Sequence, residues 1–298
     1  MSESFVHLQV HSEFSLVDGL LRIAELVSFA RQQGMHSIAL TDDMNMFATV
    51  KFYQECRKQG VKPVIGCDVY CLHPGTAFNN KPFRLTLIAK NQRGYSNLLT
   101  LVSQAYLQTK HKDSASLRSG AEKSDRLCIR SDWLADYAEG LIVLIPKASD
   151  VGQQLLADNL KLAEQYMAYW QQTFVDGCYL AVQRLGFADD ELYLHQALTL
   201  AAKYDCPVVA VNNAHFVTSE DYEAHEARVC ISAGTVLVDA RHKSGYSSQQ
   251  YLRSDQEMRT LFADFPELIT NSYELAKMAN LELVFGKNFL PDYPVPAG

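Results

Sequence analysis

The sequence predicts an α/β protein whose parallel sheet closes into a barrel. Short apolar segments of strand length alternate with amphipathic segments of helix length along most of the 298 residues. Such alternation is typical of a parallel sheet covered by helices. About seven strand–helix units occur, and no glycine-rich dinucleotide-binding motif is present. These two features favour a barrel over an open, doubly wound sheet.

The predicted elements follow from hydrophobic periodicity and from the residues that interrupt it. In residues 20–33 the apolar side chains have helical spacing, and Gly34 ends the pattern. The predicted strands cover residues 5–10, 37–41, 64–72, 85–89, 141–145, 178–183 and 207–211. The other predicted helices cover residues 47–59, 95–107, 151–174, 191–203, 256–262 and 266–279, so the C-terminal stretch is mostly helical.

Two segments are too polar or too rich in proline to belong to the core. Residues 109–126 are rich in Ser, Lys and Asp, which predicts a surface insertion. Residues 286–298 contain several prolines and predict an extended exit linker leading to another domain. We therefore expect one domain over residues 1–285, followed by this linker.

Composition and charge exclude several classes of protein. The formal net charge of -7 predicts weak or no binding of nucleic acid by the domain itself, because phosphate contacts need clustered Lys and Arg. No apolar run approaches the roughly 20 residues that span a bilayer. The seven cysteines form no C-x-x-C pair, so we expect reduced thiols. These features predict a cytoplasmic protein without membrane association.

Polar side chains follow several of the predicted strands. They are His11, Ser12 and Asp18 after the first strand, Asp42 and Asp43 after the second, Asp68 within the third, Lys147 after the fifth, and Asn212, Asn213 and His215 after the seventh. The carboxyl ends of parallel barrel strands share one face, where ligands bind. Carboxylates and imidazoles are ligands for divalent metals, which can activate water for phosphoester hydrolysis. The pattern indicates a metal site.

Some of these residues could instead have a purely structural role. Asp42 could cap the helix that follows it. His215 could be a buried histidine with satisfied hydrogen bonds, and Asn212 and Asn213 could bond to the following turn.

A later predicted helix carries His225, Glu226 and Arg228. We expect these residues to form an exposed, ion-paired face. The sequence contains no G-x-S-x-G, Walker A or H-E-x-x-H motif, so it gives no support to a serine hydrolase, a P-loop protein or a zincin.

Six ordered segments spread over the whole chain resemble one known family. They are FVHLQVHSEFSLVDG at 5–19, ALTDDMNMF at 39–47, KPVIGCDVY at 62–70, LIAKNQRGYSNL at 87–98, YLRSDQEM at 251–258 and NFLP at 288–291. The first three resemble motifs of PHP (polymerase and histidinol phosphatase) domains, and the last three resemble the N-terminal PHP domain of bacterial DNA polymerase III alpha subunits specifically. The resemblance implies a distorted (β/α)7 barrel of the PHP type.

Intact members of this family hold a small metal cluster with nine ligands at the strand ends, and this sequence departs from that pattern. His11, Asp18 and His215 match the family's ligands. The departures are Gln9 and Asp43 in place of His, Asp68 in place of Glu, Arg84 in place of His, Lys147 in place of Cys or His, and Asn213 in place of Asp.

The departures predict a vestigial metal site. Arg84 and Lys147 would place positive charge where metals should bind, and Coulomb repulsion opposes this. We expect these two cations to pair with acids drawn from Asp18, Asp43 and Asp68, which would give a salt-bridged polar core. The alternative for Arg84 is a solvent-facing position at the barrel rim.

No metal is therefore expected. If one remains, the resemblance assigns it to His11, Asp18, Asp68 and His215, as Zn, Mn or Fe.

The resemblance also implies a function. The parent protein would carry out template-directed DNA synthesis with Mg, through polymerase domains of the same chain that also make its DNA contacts. This domain would be structural and would dock the separate proofreading exonuclease subunit. Two alternatives remain: an active metal-dependent 3′–5′ exonuclease or phosphoesterase, and a stand-alone PHP phosphatase.

Overall fold

The computed structural model describes residues 4–74, 82–109, 127–237 and 245–287. The strands are β1 (Ser37–Leu40), β2 (Lys62–Leu72), β3 (Phe83–Ala89), β4 (Ile129–Arg130), β5 (Leu141–Ile145), β6 (Cys178–Val182) and β7 (Val208–Ala210). Six of them form the path β1-β2-β3-β5-β6-β7, and β4 pairs with β2 beside it. Nearly all of the predicted insertion, and the predicted linker from residue 288 onward, lie outside the described residues.

Helices cover the outside of this sheet. They are α1 (Ile23–Gln32), α2 (Thr49–Gln59), α3 (Gln92–Thr109), α4 (Ser131–Tyr137), α5 (Asp150–Leu156), α6 (Leu160–Thr173), α7 (Asp190–Tyr204), α8 (Tyr222–Ala233), α9 (Asp255–Leu261) and α10 (Glu267–Met278), with a short 3-10 helix at Ser219–Asp221. The mostly helical C-terminal stretch is confirmed. Within the described ranges, none of these helices combines the length and the apolar character needed to cross a membrane.

The N-terminal segment joins the two edges of the sheet. On one side, the Ala39 and Thr41 amides donate to the carbonyl oxygens of His7 and Val10, both at 2.9 Å. On the other, the Ala214 amide donates to the Gln9 carbonyl at 3.0 Å, after the end of β7. The predicted first strand therefore occupies its expected place as an irregular extended segment, and it completes a distorted barrel.

The sheet is mixed, and the prediction of a parallel sheet was wrong for one strand. β3 runs antiparallel to both of its neighbours, β2 and β5. Only residues 73–82 connect β2 to β3, and a parallel connection needs a crossover of a dozen or more residues. The start of β3 consequently lies at the same end of the barrel as the carboxyl ends of β1 and β2.

The barrel interior is filled by aliphatic side chains from the N-terminal segment and from strands of the sheet. It contains Val6, Leu8, Ala39, Val64, Ile88, Ile142, Leu144, Ala181, Val209 and Val211, and α10 packs against it with Leu275, Ala276 and Ala279. A larger apolar cluster lies between the sheet and helices α3 to α7. Because the interior is apolar, polar side chains gather at the ends of the barrel.

One predicted helix is two helices in the structure. The predicted helix at 151–174 is interrupted between α5 and α6, where Asp158 has a left-handed backbone with φ 56°. The Ser149 hydroxyl caps α5 by accepting from the Gly152 amide at 3.0 Å. Apolar periodicity continued across the break, because both helices pack on the same side of the sheet.

Candidate functional site

The carboxyl ends of β1 and β2, the start of β3 and the residues after β7 meet at one end of the barrel, which we call the mouth. Backbone pairing fixes its central residues. Arg84 lies opposite Tyr70 in the β2–β3 register, and a bridge between Asp43 and Asp68 extends the β1–β2 pairing. Asp43, Asp68 and Arg84 are therefore neighbours because of strand register.

The Arg84 guanidinium lies between two carboxylates. Its Nη2 atom contacts Oδ1 of Asp43 in a short ion pair and lies 3.3 Å from Oδ2 of Asp68. Its guanidinium carbon is 4.9 Å from the centre of the Tyr70 ring. Burial would lower the pKa of Arg84, but the negative charge of Asp43 and its neighbours raises that pKa above the ordinary value. With 21% of its side chain exposed, Arg84 is held in the mouth and does not extend into solvent from the rim.

Asp68 is the hub of a buried polar chain. The Thr86 hydroxyl donates to Oδ1 of Asp68 and accepts from Nε2 of Gln9 at 2.7 Å. On the other side, Nε2 of His11 lies 3.3 Å from Oδ2 of Asp68 and 2.9 Å from Oδ1 of Asn213. Gln9 and Asn213 thus act as hydrogen-bonding partners within the network.

A second polar group lies beside the first. The rings of His11 and His215 stack with centroids 4.3 Å apart. Nδ1 of His215 is 3.8 Å from Oδ2 of Asp18, which also accepts a 2.6 Å hydrogen bond from the Tyr246 hydroxyl. Among the described residues, both ring nitrogens of His215 and Oδ1 of Asp18 lack a hydrogen-bond partner.

The two stacked histidines differ in charge. Burial alone would lower the pKa of His11, but its bond to Asp68 and the charge of that carboxylate raise the pKa to about 9. Burial and the neighbouring His11 lower the pKa of His215 well below its ordinary value. His11 is therefore cationic at neutral pH and His215 is neutral.

Lys147 does not pair with Asp18, Asp43 or Asp68, contrary to the prediction. Its Nζ atom binds Oδ1 of Asp189 at 2.7 Å and Oδ1 of Asp190 at 2.6 Å. These acids lie at the start of α7. Lys147 and Arg84 nevertheless line the same cavity of about 400 Å³.

Asp42 and Asn212, for which the sequence left a structural role open, form hydrogen bonds that hold neighbouring loops. Asp42 does not cap α2. Its carboxylate accepts from the Ser12 amide at 2.6 Å and from the hydroxyls of Ser12 and Ser15 at 2.9 Å, which secures the loop that carries Asp18. Nδ2 of Asn212 donates to the Tyr251 carbonyl at 2.6 Å.

The prediction of an exposed, ion-paired face on α8 was wrong. His225 and Glu226 are buried, and Arg228 donates to the Leu16 carbonyl at 3.1 Å. The ring of His225 lies 5.4 Å from that of His215. The polarity of α8 is inverted, since its buried side carries these polar residues while Ile231 is 81% exposed. Hydrophobic periodicity cannot identify a buried polar face. Sequence analysis also missed Tyr246, because this residue lies outside the recognised motifs.

Among the described residues, two sets of donors lie close enough together to bind a metal ion. Ligand atoms lie within 4.8 Å of one another in the set His11, Asp43 and Asp68 and in the set His11, Asp18 and His215. In the first set, Arg84 already binds both carboxylates, so a metal ion there would meet a fixed positive charge. In the second set, His215 and Asp18 offer unpartnered atoms, but His11 is protonated and paired with Asp68. The second set therefore suits one divalent ion only after His11 has lost its proton.

Comparisons with known proteins agree with the motifs. A family model of the PHP domain matches residues 7–185. The chain is 41% identical over 300 residues to the DNA polymerase III subunit alpha of Pseudomonas aeruginosa and 44% identical over 291 residues to that of Vibrio cholerae. It is 41% identical over 298 residues to that of Escherichia coli K12.

These alignments cover 97–100% of this chain but 24% of each relative, so the chain spans about a quarter of their length. Among solved structures, an amidohydrolase from Chromobacterium violaceum superposes with a TM-score of 0.47 at 14% identity, over 76% of this chain and 97% of that one. The chain therefore belongs to the PHP domain family, and it is similar over its whole length to the N-terminal region of bacterial DNA polymerase III alpha subunits.

Proposed function

We propose that this chain is the N-terminal PHP domain of a replicative DNA polymerase III alpha subunit. The names of its relatives and the nearly complete coverage of the chain support this. The parent protein would synthesise DNA on a template, with Mg bound by polymerase domains that follow in the same chain. Those domains would make the DNA contacts, since this part has a net charge of -7.

We further propose that this domain does not hydrolyse phosphoesters. The observation that carries this proposal is the position of Arg84 between Asp43 and Asp68. Its guanidinium supplies the positive charge that metal ions would supply in an intact PHP site. It also occupies two carboxylates that would otherwise be available as metal ligands. Hydrolysis at neutral pH needs an activated water molecule, which a bound metal ion can provide. A guanidinium cannot provide one, because it does not coordinate water as a Lewis acid and it stays protonated.

The role left to the domain is structural, as a docking platform for the proofreading exonuclease subunit. The similarity to polymerase III alpha subunits supports this role. The rim of the mouth also offers exposed apolar side chains, with Leu16 68%, Val17 50% and Phe47 62% exposed. Exposed apolar clusters of this kind are a feature of protein-binding surfaces.

The second candidate function is a metal-dependent 3′–5′ exonuclease or phosphoesterase. The set of His11, Asp18 and His215 favours it, because these buried donors could hold one Zn, Mn or Fe ion. Such an ion would supply a Lewis acid and an activated water. Within the chain, the Tyr246 hydroxyl would orient Asp18 through its 2.6 Å hydrogen bond.

Elemental analysis and an exonuclease assay separate the two functions. We expect the purified chain to carry no stoichiometric Zn, Mn or Fe after gel filtration and to release no nucleotides from single-stranded DNA. The outcome against this is retained metal together with nuclease activity that His11→Ala and Asp18→Ala both abolish. An activity that survives both substitutions comes from a contaminant, because a contaminating nuclease does not respond to them.

A further inference from the structure

Two cysteines face each other at the end of the barrel opposite the mouth. β6 and β7 are parallel with Leu180 opposite Val208. Extending this register by two residues places Cys178, at the start of β6, opposite Cys206, which lies just before β7. The Sγ atom of Cys206 is 3.5 Å from the Cys178 carbonyl oxygen. None of the seven cysteines forms a disulfide in this structure.

The pair is packed but close to solvent. Cys178 and Cys206 are 8% and 6% exposed and lie beneath α7. Exposed residues flank them on both strands: Val175 and Asp176 precede β6, and Asp205 and Pro207 adjoin Cys206. The pair therefore lies close to the protein surface at this end of the barrel.

We propose that Cys178 and Cys206 are a modification site, at which thiol–disulfide exchange with a low-molecular-weight disulfide forms a reversible intramolecular bond. Directly opposed residues on neighbouring strands have Cα atoms roughly 5 Å apart, within the range of about 4.4 to 6.8 Å that a disulfide spans. The strands therefore need little movement to form the bond.

The reaction has two balanced steps. The thiolate of one cysteine attacks one sulfur of the external disulfide, the external S–S bond breaks, and one small thiolate leaves and takes up a proton. The thiolate of the other cysteine then attacks the mixed disulfide at the protein sulfur and releases the second small thiol. The protein loses two electrons and the external disulfide gains them.

The bond would close a loop that contains all of α7. It would tie the start of β6 to the start of β7 and constrain the unfolded chain between them. The oxidised protein should therefore unfold at a higher denaturant concentration than the reduced protein.

Glutathione disulfide is the probe for this proposal. The folded chain is incubated with it, denatured, alkylated and analysed by mass spectrometry of the intact chain and its peptides. We expect a loss of two alkylatable thiols and a peptide that links Cys178 to Cys206. The proposal is overturned if both cysteines remain alkylatable, or if the bond forms between other cysteines.

Single substitutions test whether these two cysteines are the partners. Cys178→Ser and Cys206→Ser should each form no intramolecular disulfide. Cys230→Ser is the matched control and should form the same disulfide as the natural chain, because Cys230 is a buried thiol on α8. An intramolecular disulfide in either of the first two variants would contradict the pairing. Peptide mapping of the unsubstituted chain tests the bond itself even if a variant fails to fold.

Discussion

At the scale of single residues, the mouth of the barrel is a network of side-chain hydrogen bonds and ion pairs. Gln9 is bonded to Thr86, and Thr86 to Asp68. Motif comparison located these positions, but it could not identify their partners. Lys147 shows why: its charge is neutralised by Asp189 and Asp190, which belong to no motif and come from a different loop.

Removing the Tyr246 hydroxyl should destabilise the domain. Tyr246→Phe keeps the ring but leaves Oδ2 of Asp18 without its 2.6 Å donor. A hydrogen bond to a buried charge is worth about 1.5 to 3 kcal/mol, and we expect a loss of that size in urea unfolding. Tyr251→Phe is the matched control, because its hydroxyl binds the exposed Glu257 at 2.8 Å. Equal losses in both variants would show that Asp18 does not depend on Tyr246.

His7 should make stability depend on pH. It is buried, with Nε2 2.8 Å from the Arg253 carbonyl oxygen, and burial lowers its pKa to about 4. Between pH 6.5 and about 4 the unfolded chain binds a proton at His7 that the folded chain does not. The stabilisation from neutral His7 is therefore present above pH 6.5 and is lost as pH falls toward 4.

The His7→Gln variant measures this contribution. The free energy of unfolding of the natural chain should fall relative to that of His7→Gln, by about 3 kcal/mol at most over this range. Urea unfolding at several pH values gives both curves. Parallel curves for the two proteins would contradict the assignment to His7.

At the scale of elements, strand positions could be predicted better than strand directions. The predicted strand at 141–145 coincides with β5, because a run of five apolar residues between polar turns is typical of a strand buried on both faces. Periodicity carries no information on direction, so the antiparallel course of β3 was not foreseen. The inverted polarity of α8 and the break at Asp158 are set by tertiary packing, which overrides local patterns.

The end of β2 is secured by a buried network that motif analysis missed. Nδ1 of His73 lies 2.9 Å from the Ser131 hydroxyl, at the start of α4. Its Nε2 lies 2.8 Å from Oδ2 of Asp150, at the start of α5. The ring of His73 also stacks on Tyr166 at 4.7 Å. One side chain thus connects β2, α4, α5 and α6.

His73→Ala should therefore be costly. It leaves the Ser131 hydroxyl without its partner at 2.9 Å, while Asp150 keeps its hydrogen bond from Trp170. An unsatisfied buried group costs about 1 to 3 kcal/mol. His36→Ala is the matched control, since His36 is exposed and surface changes usually stay within about 0.5 kcal/mol. Urea unfolding of both variants checks this, and a His73→Ala loss no larger than that of His36→Ala would refute the role of the network.

At the scale of the whole molecule, the barrel separates an apolar interior from a charged mouth. Apolar side chains of the strands and of α10 form the interior cluster, and the mouth collects polar residues from distant chain segments around Arg84. The alternation of strands and helices and the family motifs predicted the barrel. The division of the mouth into an arginine-centred network and a second His–Asp group could not be predicted, because it depends on distances of a few ångströms between side chains from distant parts of the chain.

We propose that Arg84 supplies positive charge in place of a metal centre and that the resulting charge network stabilises the fold. A double-mutant cycle of Arg84 and Asp43 in urea tests it most directly. Breaking a fully buried ion pair costs about 3 to 5 kcal/mol, and breaking an exposed one costs about 0 to 1 kcal/mol. Both side chains of this pair are 21% exposed, so we expect a cost between these two cases.

We predict that Arg84→Ala lowers the free energy of unfolding by about 2 to 4 kcal/mol. The double variant Arg84→Ala, Asp43→Ala should recover part of this loss, with a coupling of at least about 1 kcal/mol. The same cycle with Asp68 should also be coupled, because Arg84 lies 3.3 Å from that carboxylate. A loss below about 1 kcal/mol for Arg84→Ala, or additive effects with both acids, would show that the ion pairs of Arg84 do not stabilise the fold.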